Sequence, residues 1–232
     1  MKRFGLVVLM LLVAGSAMAQ QGFWIGGGGV MLMAKGSGEW DNDDYDVTTD
    51  ILDDNEWGLS WTSKSMFGFA PVVGFRINDL LGIRGSYTYL LKKTGEDDLT
   101  DGNVEYTAET EWTQSHIQIM GMIYPFRNGS MENFYICAGM DRASFTIDFM
   151  IEATDGTNTE ELSEDDNGSA MGLIFGGGFD YPIQPNMLFY GQATYSTVKF
   201  NDEIFSGQNE VDAEMALGGI ALEAGLKFFF NN

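Results

Sequence analysis

The chain has one cysteine, Cys137, one histidine, His116, and only 4 prolines in 232 residues. A lone cysteine excludes an internal disulfide. Basic residues are also scarce: 12 Lys and Arg stand against 34 Asp and Glu, a formal charge of −22. That balance argues against drawing in nucleic acid or an anionic lipid surface by net charge alone. No stretch approaches the roughly 18 consecutive apolar residues of a membrane helix. If the mature chain lies in a membrane, it must cross as a closed barrel, because only helices and closed barrels satisfy their backbone groups in lipid.

The amino terminus reads as a secretory signal peptide over residues 1–19. Lys2 and Arg3 supply the positive start, residues 4–14 the short apolar core, and Ala17-Met18-Ala19 the small-residue cleavage pattern before Gln20. No cysteine follows that site, which speaks against a lipoprotein. Residues 20–232 are the expected mature domain. Its roughly 210 residues suit a single all-β unit.

The most informative stretch is the last, residues 215–230. Leu217, Ile220, Leu222, Ala224, Leu226, Phe228 and Phe230 share one face, with a half-step at Gly218-Gly219. Ala221, Glu223, Gly225, Lys227 and Phe229 share the other. Period-two alternation is a strand. A face apolar outside and small or polar inside is the pattern of a transmembrane barrel. Seven further stretches alternate in the same way, at residues 23–34, 65–77, 81–92, 112–124, 134–149, 170–181 and 187–198. In the fifth, Ala143, Phe145, Ile147 and Phe149 are expected outside, opposite Arg142, Ser144, Thr146 and Asp148. The tetraglycine at residues 26–29 is not followed by a helix, so it is expected to bend a small barrel rather than cradle phosphate.

Eight strands in simple order are joined by connections that alternate long and short. The long ones carry most of the acid, in blocks near residues 35–64, 93–110, 150–168 and 200–214. Long extracellular loops and short periplasmic turns are the habit of outer-membrane barrels, and an even strand count puts both termini on the periplasmic side. Tyr124, Phe126, Phe134 and Tyr181 near the short turns, and Tyr89, Trp112 and Phe149 near the long ones, are expected as aromatic girdles. A soluble eight-stranded barrel of the lipocalin sort would need a charged outer face. The second face here is Gly, Ala, Ser, Thr and Gln, which favours the membrane reading.

Parity then sends Arg76, Arg84, Arg142 and Lys227 inward with Asp148, Asp180 and Glu223, alongside Gln114, His116, Gln118 and Gln192. An eight-stranded lumen is only wide enough to be filled by side chains, and charges inside it should pair. Arg84 with Glu223, and Arg76 or Lys227 with Asp180, are the expected polar plug. His116 is expected to hydrogen-bond in the lumen, since Ser115 beside it must point the other way. Cys137 falls on the lipid-facing parity and is expected to be inert. The carboxylates from Asp41 to Asp46 could hold divalent cations, though they lack the Gly and distal Glu of an EF-hand, and a solvated loop is the plainer reading.

The ending has the spacing polar–x–Gly–x–x–apolar–x–aromatic in Glu223, Gly225, Phe228 and Phe230. It resembles the carboxy-terminal insertion signal of bacterial outer-membrane barrels, except that Asn231 and Asn232 follow the aromatic residue. With the Gly-Phe-Trp-Ile-Gly start at residues 22–26 and the loop-turn rhythm, the whole mature chain resembles the OmpA-like and OmpX/Ail-like eight-stranded β-barrel domains. That resemblance implies the bacterial outer membrane, lipopolysaccharide as neighbour, and periplasmic chaperones and the barrel-assembly machinery as partners in insertion. No peptidoglycan-binding domain is expected after Asn232. A fold does not fix an activity. The expected role is non-enzymatic, structural or in surface interaction through acidic loops, with no cofactor. A narrow pore or conduit for small hydrophobic molecules is the alternative, using gaps at glycines 26–29 and 176–178. A lipid-modifying enzyme comes third, for want of a convergent polar constellation at the rim.

Overall fold

The computed structural model describes residues 22–34, 39–41, 65–101, 104–126, 133–154, 159–204 and 211–230. The expected signal peptide and residues 35–64 lie outside the described residues apart from a short strand at 39–41, so of the Asp41–Asp46 run only Asp41 is described. In chain order the strands are β1 (Phe23–Ala34), β2 (Glu39–Asp41), β3 (Met66–Arg76), β4 (Leu81–Asp101), β5 (Val104–Ile123) and β6 (Phe134–Thr154). There follow β7 (Thr159–Gln184), β8 (Met187–Ser196), β9 (Lys199–Ile204), β10 (Val211–Ala216) and β11 (Gly219–Phe229). Eight of them close into an antiparallel barrel in the order β1-β11-β8-β7-β6-β5-β4-β3, and β2, β10 and β9 form a second, three-stranded sheet. The all-β, eight-stranded up-and-down barrel read from the alternation is the fold.

Cross-strand partners give the stagger. From Arg76 the register runs through Gly82, Met122, Cys137, Gly176, Thr194, Ala221 and Leu32 back to Met66 on the starting strand, ten residues away. Ten residues over eight strands tilts each strand by about 40° and leaves an interior that side chains can fill.

Outward positions on the barrel wall form an apolar belt. Phe67, Phe69, Ile119, Leu173, Phe175 and Leu222 are all exposed, with many others at the same parity. No water-soluble surface carries an apolar patch that continuous, so its solvent is hydrocarbon. Short turns close the lower end. Asn78 Oδ1 accepts from the backbone N–H groups of Leu80 and Leu81 at 2.8 Å, an Asx turn that joins β3 to β4. At the other end β4, β5, β6 and β7 run to 20 residues or more. The acidic stretches at 93–110 and 150–168 are therefore mostly β-hairpin walls rising above the belt, not irregular loops.

That extension corrects several sequence expectations. Along β6, Ile136 and Met140 face out, while Cys137, Asp141, Ala143, Phe145 and Ile147 are buried. Arg142 and Asp148 are exposed outside the barrel, not inside it. Cys137, only 6% exposed, faces the interior rather than lipid. Strand parity is continuous, but its meaning inverts with height. Below the lipid boundary the apolar side is outside. Above it water bathes the outside, and the interior takes the apolar residues.

Leu90, Trp112, Phe145, Ile147, Phe200 and Leu217 belong to that upper interior cluster. Trp112 stacks on Phe145 at 4.9 Å between ring centroids and Phe200 meets Phe145 edge-on at the same distance. Trp112 and Tyr124 are thus interior residues and not girdle members, whereas Phe126 and Tyr181 are exposed as expected. Leu217, expected on the outer face, is turned inward, and Gly219, at φ 145, lies between it and the outward Ile220.

The inward glycines leave no gaps. A Cβ on Gly28 would lie 2.8 Å from the Tyr190 hydroxyl oxygen and 2.4 Å from the Ala224 carbonyl oxygen, and one on Gly178 would lie 2.6 Å from the Tyr135 hydroxyl oxygen. Each missing side chain makes room for a tyrosine. Gly29, one residue along, has nothing within 4 Å of the same position. Gly28→Val should therefore cost about 1–3 kcal/mol by overpacking, while Gly29→Val is nearly neutral. The midpoint of heat-induced loss of the folded band on a cold gel reads the difference.

Candidate functional site in the closed lumen

The lumen is filled in layers by side chains from every wall. At its lower end Lys227 of β11, with no exposed surface, donates to Asp180 Oδ1 of β7 at 2.7 Å. Its ammonium nitrogen also stands 4.6 Å from the Trp24 ring centre, 4.8 Å from Tyr190 and 5.0 Å from Tyr135. Carboxylate and aromatic faces together replace the water that a buried ammonium has lost. Tyr124 donates to Asp180 Oδ2 at 3.4 Å. Arg76 does not reach Asp180. Its guanidinium lies 4.2 Å over the Tyr124 ring and donates to the Asp79 carbonyl, capping the lower mouth.

One layer up, Arg84 of β4, 1% exposed, donates through Nη2 to both oxygens of Glu223 at 2.5 Å and through Nη1 to Gln192 Oε1. Tyr190 donates to Glu223 Oε1 at 2.5 Å, and Tyr135 to Gln192 Oε1 at 3.0 Å. Of the five charged residues expected to meet, the structure brings together Arg84 with Glu223 and Lys227 with Asp180, and sets Arg76 aside. Lys227 and Glu223 stand two strand positions apart twice over on β11, so one strand supplies a charge to each pair.

The third layer centres on His116, whose Nδ1 lies 3.0 Å from Asp141 Oδ2. Gln114 fixes the tautomer. Its Oε1 accepts from Trp112 Nε1–H at 3.2 Å, and its amide nitrogen donates to the Leu217 carbonyl at 2.7 Å and faces His116 Nε2 at 2.7 Å. Nε2 must then accept, which places the ring proton on Nδ1, pointed at Asp141. Ser196 donates to Asp141 Oδ2 at 2.6 Å. Asp141 went unnoticed in the sequence because the Cys137 parity beside it was read as lipid-facing. The inward tyrosines and Trp24 were missed because an aromatic ring alternates like an aliphatic one.

A serine, a histidine and an aspartate therefore meet, but in the wrong order for nucleophilic catalysis. The hydroxyl bonds the carboxylate and not the base, and the far nitrogen of the base is taken by Gln114. The space between these layers, lined by His116, Gln118, Asp141, Ser196 and Glu223 among others, amounts to about 20 Å³. That admits a water molecule and no substrate. Among the described residues no cluster of His, Cys, Asp and Glu is arranged to hold a metal ion. At the carboxy terminus Glu223 points in to Arg84, a Cβ on Gly225 would meet the Gly27 carbonyl oxygen at 2.1 Å, and Phe228 and Phe230 are exposed on the belt.

Removing one member of a buried pair strands the other charge. Lys227→Met should lower stability by about 3–5 kcal/mol, and Lys227→Met with Asp180→Leu should recover much of that loss. Denaturant unfolding in detergent measures both. For the third layer, nitrogen NMR of the folded barrel should find the His116 proton on Nδ1, and only removal of both neighbours, in Gln114→Ala with Asp141→Ala, should release that preference.

No curated protein matches the chain in sequence. The outer membrane protein OprG from Pseudomonas aeruginosa superposes with a TM-score of 0.58 at 13% identity, covering 91% of this chain and 97% of its own. Ail, the attachment invasion locus protein of Yersinia pestis, solved with the heparin analogue sucrose octasulfate, gives 0.43 at 12% identity over 90% and 99%. The outer membrane protease OmpT from Escherichia coli gives 0.39 at 9% identity over 90% and 97%. Residues 5–228 match the family described as outer membrane protein beta-barrel domain. A closed barrel, a lipid-facing belt and a match over almost the whole length agree: the chain belongs to the outer membrane protein beta-barrel domain family and is an integral protein of the bacterial outer membrane.

Proposed function

We propose that this barrel is non-enzymatic and non-conducting, and that its work is done on its outer surfaces, as a structural element of the envelope and in surface interaction. The observation that carries the reading is the filled lumen: two buried ion pairs, four inward aromatic rings and an apolar cluster occupy it, and the cavity beside His116 and Glu223 holds about 20 Å³. The glycines that a conduit would need as gaps seat Tyr190 and Tyr135 instead. Above the belt the hairpin walls present exposed acids, Glu109, Asp148, Glu152 and Asp165 among them, to the medium. Both termini sit on the periplasmic side in this reading, and neighbouring lipopolysaccharide is the first partner. β11 serves twice, closing the barrel and offering Glu223, Gly225, Phe228 and Phe230 as the signal read by chaperones and the barrel-assembly machinery. The acidic segments are open to loop-bound divalent cations.

Planar-bilayer recording tests the closed lumen. The intact protein should pass no steady current, and the Arg84→Ala, Glu223→Ala double variant, which empties the middle layer, should pass brief ones. Steady conductance by the unaltered protein would replace this reading with the conduit. A mass change in lipid A on overexpression would replace it with the enzyme.

A further inference from the structure

The outward face of β6 and β7 holds one feature that neither the lumen nor the belt explains. Arg142 lies on the outer wall with Ile117 and Met171 as its cross-strand partners. Those two are 53% and 61% exposed to lipid. Its guanidinium donates to Ser169 Oγ at 3.3 Å, and no carboxylate among the described residues pairs with it. A cation set among lipid-facing side chains is costly unless an anion meets it or the headgroup region is close.

What lies above Arg142 is polar but neutral. Ser144 is opposite Ser169 and Thr146 opposite Asn167, and these residues line a groove of about 450 Å³ with Arg142 at its lower end. The next outward pair upward is Asp148 opposite Asp165, so acids resume immediately above the groove. The patch is thus bounded by hydrocarbon below and by carboxylates above, with one cation, Arg142, at its base in a chain of charge −22. A soluble anion would have to pass the acidic walls. An anion fixed at the lipid–water boundary would not.

Resting on the reading of lipopolysaccharide as first partner, we propose that this groove binds a phosphate of an outer-leaflet glycolipid, of the bisphosphorylated lipid A type. The guanidinium fork meets two phosphate oxygens at once. The hydroxyls of Ser144, Thr146 and Ser169 and the Asn167 amide donate to the remaining phosphate and sugar oxygens, and Ile117 and Met171 lie along the acyl chains. The acids at the top of the groove, Asp148 and Asp165, lie six strand positions from the Arg142 pair, about 20 Å at the strand rise, so at Arg142 they are screened by salt with a Debye length of about 8–10 Å.

The test uses the full mature barrel in nanodiscs of phosphatidylcholine doped with bisphosphorylated lipid A or with its dephosphorylated form. Native mass spectrometry counts retained glycolipid, and the folded band on a cold gel checks each variant. The unaltered protein should retain the phosphorylated form and hold the dephosphorylated one no better than phosphatidylcholine. Arg142→Gln should lower retention about tenfold, as expected for loss of a charge-assisted pair. Arg142→Lys, which keeps charge but loses the fork, should fall between, and Ser144→Ala with Ser169→Ala should weaken retention with Arg142 intact. Equal retention by Arg142→Gln, or equal retention of both glycolipids, would overturn the proposal.

Discussion

Everything in this molecule follows from the rule that no backbone N–H or carbonyl may stand unpaired in hydrocarbon. A sheet of eight strands meets that rule only when β1 pairs with β11, as it does from Trp24 with Phe229 to Ala34 with Gly219. Closure at this strand number and stagger leaves a bore too narrow for bulk water and too wide to be empty. The lumen must therefore be built from side chains, and the charged ones must be paired. The ion pairs, the tyrosines seated over glycines and the His116 network are consequences of closing the wall.

The strand pattern was legible because lipid outside and a polar or small interior enforce strict alternation over the height of the belt. Arg84 with Glu223 was legible because parity and depth counting put both inward at one level, whereas for Asp180 the same counting left Arg76 and Lys227 open. What could not be read was the height at which lipid ends. Alternation tells which residues share a side, not which side is wet. Ala143, Phe145 and Ile147 alternate with Arg142, Ser144 and Thr146 whether the outside is hydrocarbon or water. Counting parity from Ile136 through Met140 would have kept Arg142 outside and put Asp141 and Cys137 inside, since the pairing of β6 with both neighbours runs unbroken through Gly139. Tyr124 and Trp112 failed for a related reason: an aromatic near a strand end suits a girdle outside the wall and a plug inside it equally well.

The two halves of the interior divide the labour of filling. Below, charge and aromatic faces stabilise one another in a layer where any missing partner is expensive. Above, stacked rings such as Trp112 on Phe145 fill the bore with dispersion alone. Gln114 joins the halves, since it receives the Trp112 N–H and holds both the Leu217 carbonyl and His116. A perturbation of either half is felt at that amide.

β11 also sets the order in which the molecule can become whole. Arg84 is 139 residues from Glu223 and Asp180 is 47 from Lys227, and both ion pairs form only when β11 is in place. Until then the unfinished wall carries an unmatched cation on β4 and an unmatched anion on β7, together with two open edges. An incomplete barrel is therefore penalised twice over, by backbone and by charge, and both penalties vanish in one step when the final strand enters. Such a chain has no comfortable half-closed state, so closure of the barrel is expected to be steeply all-or-none.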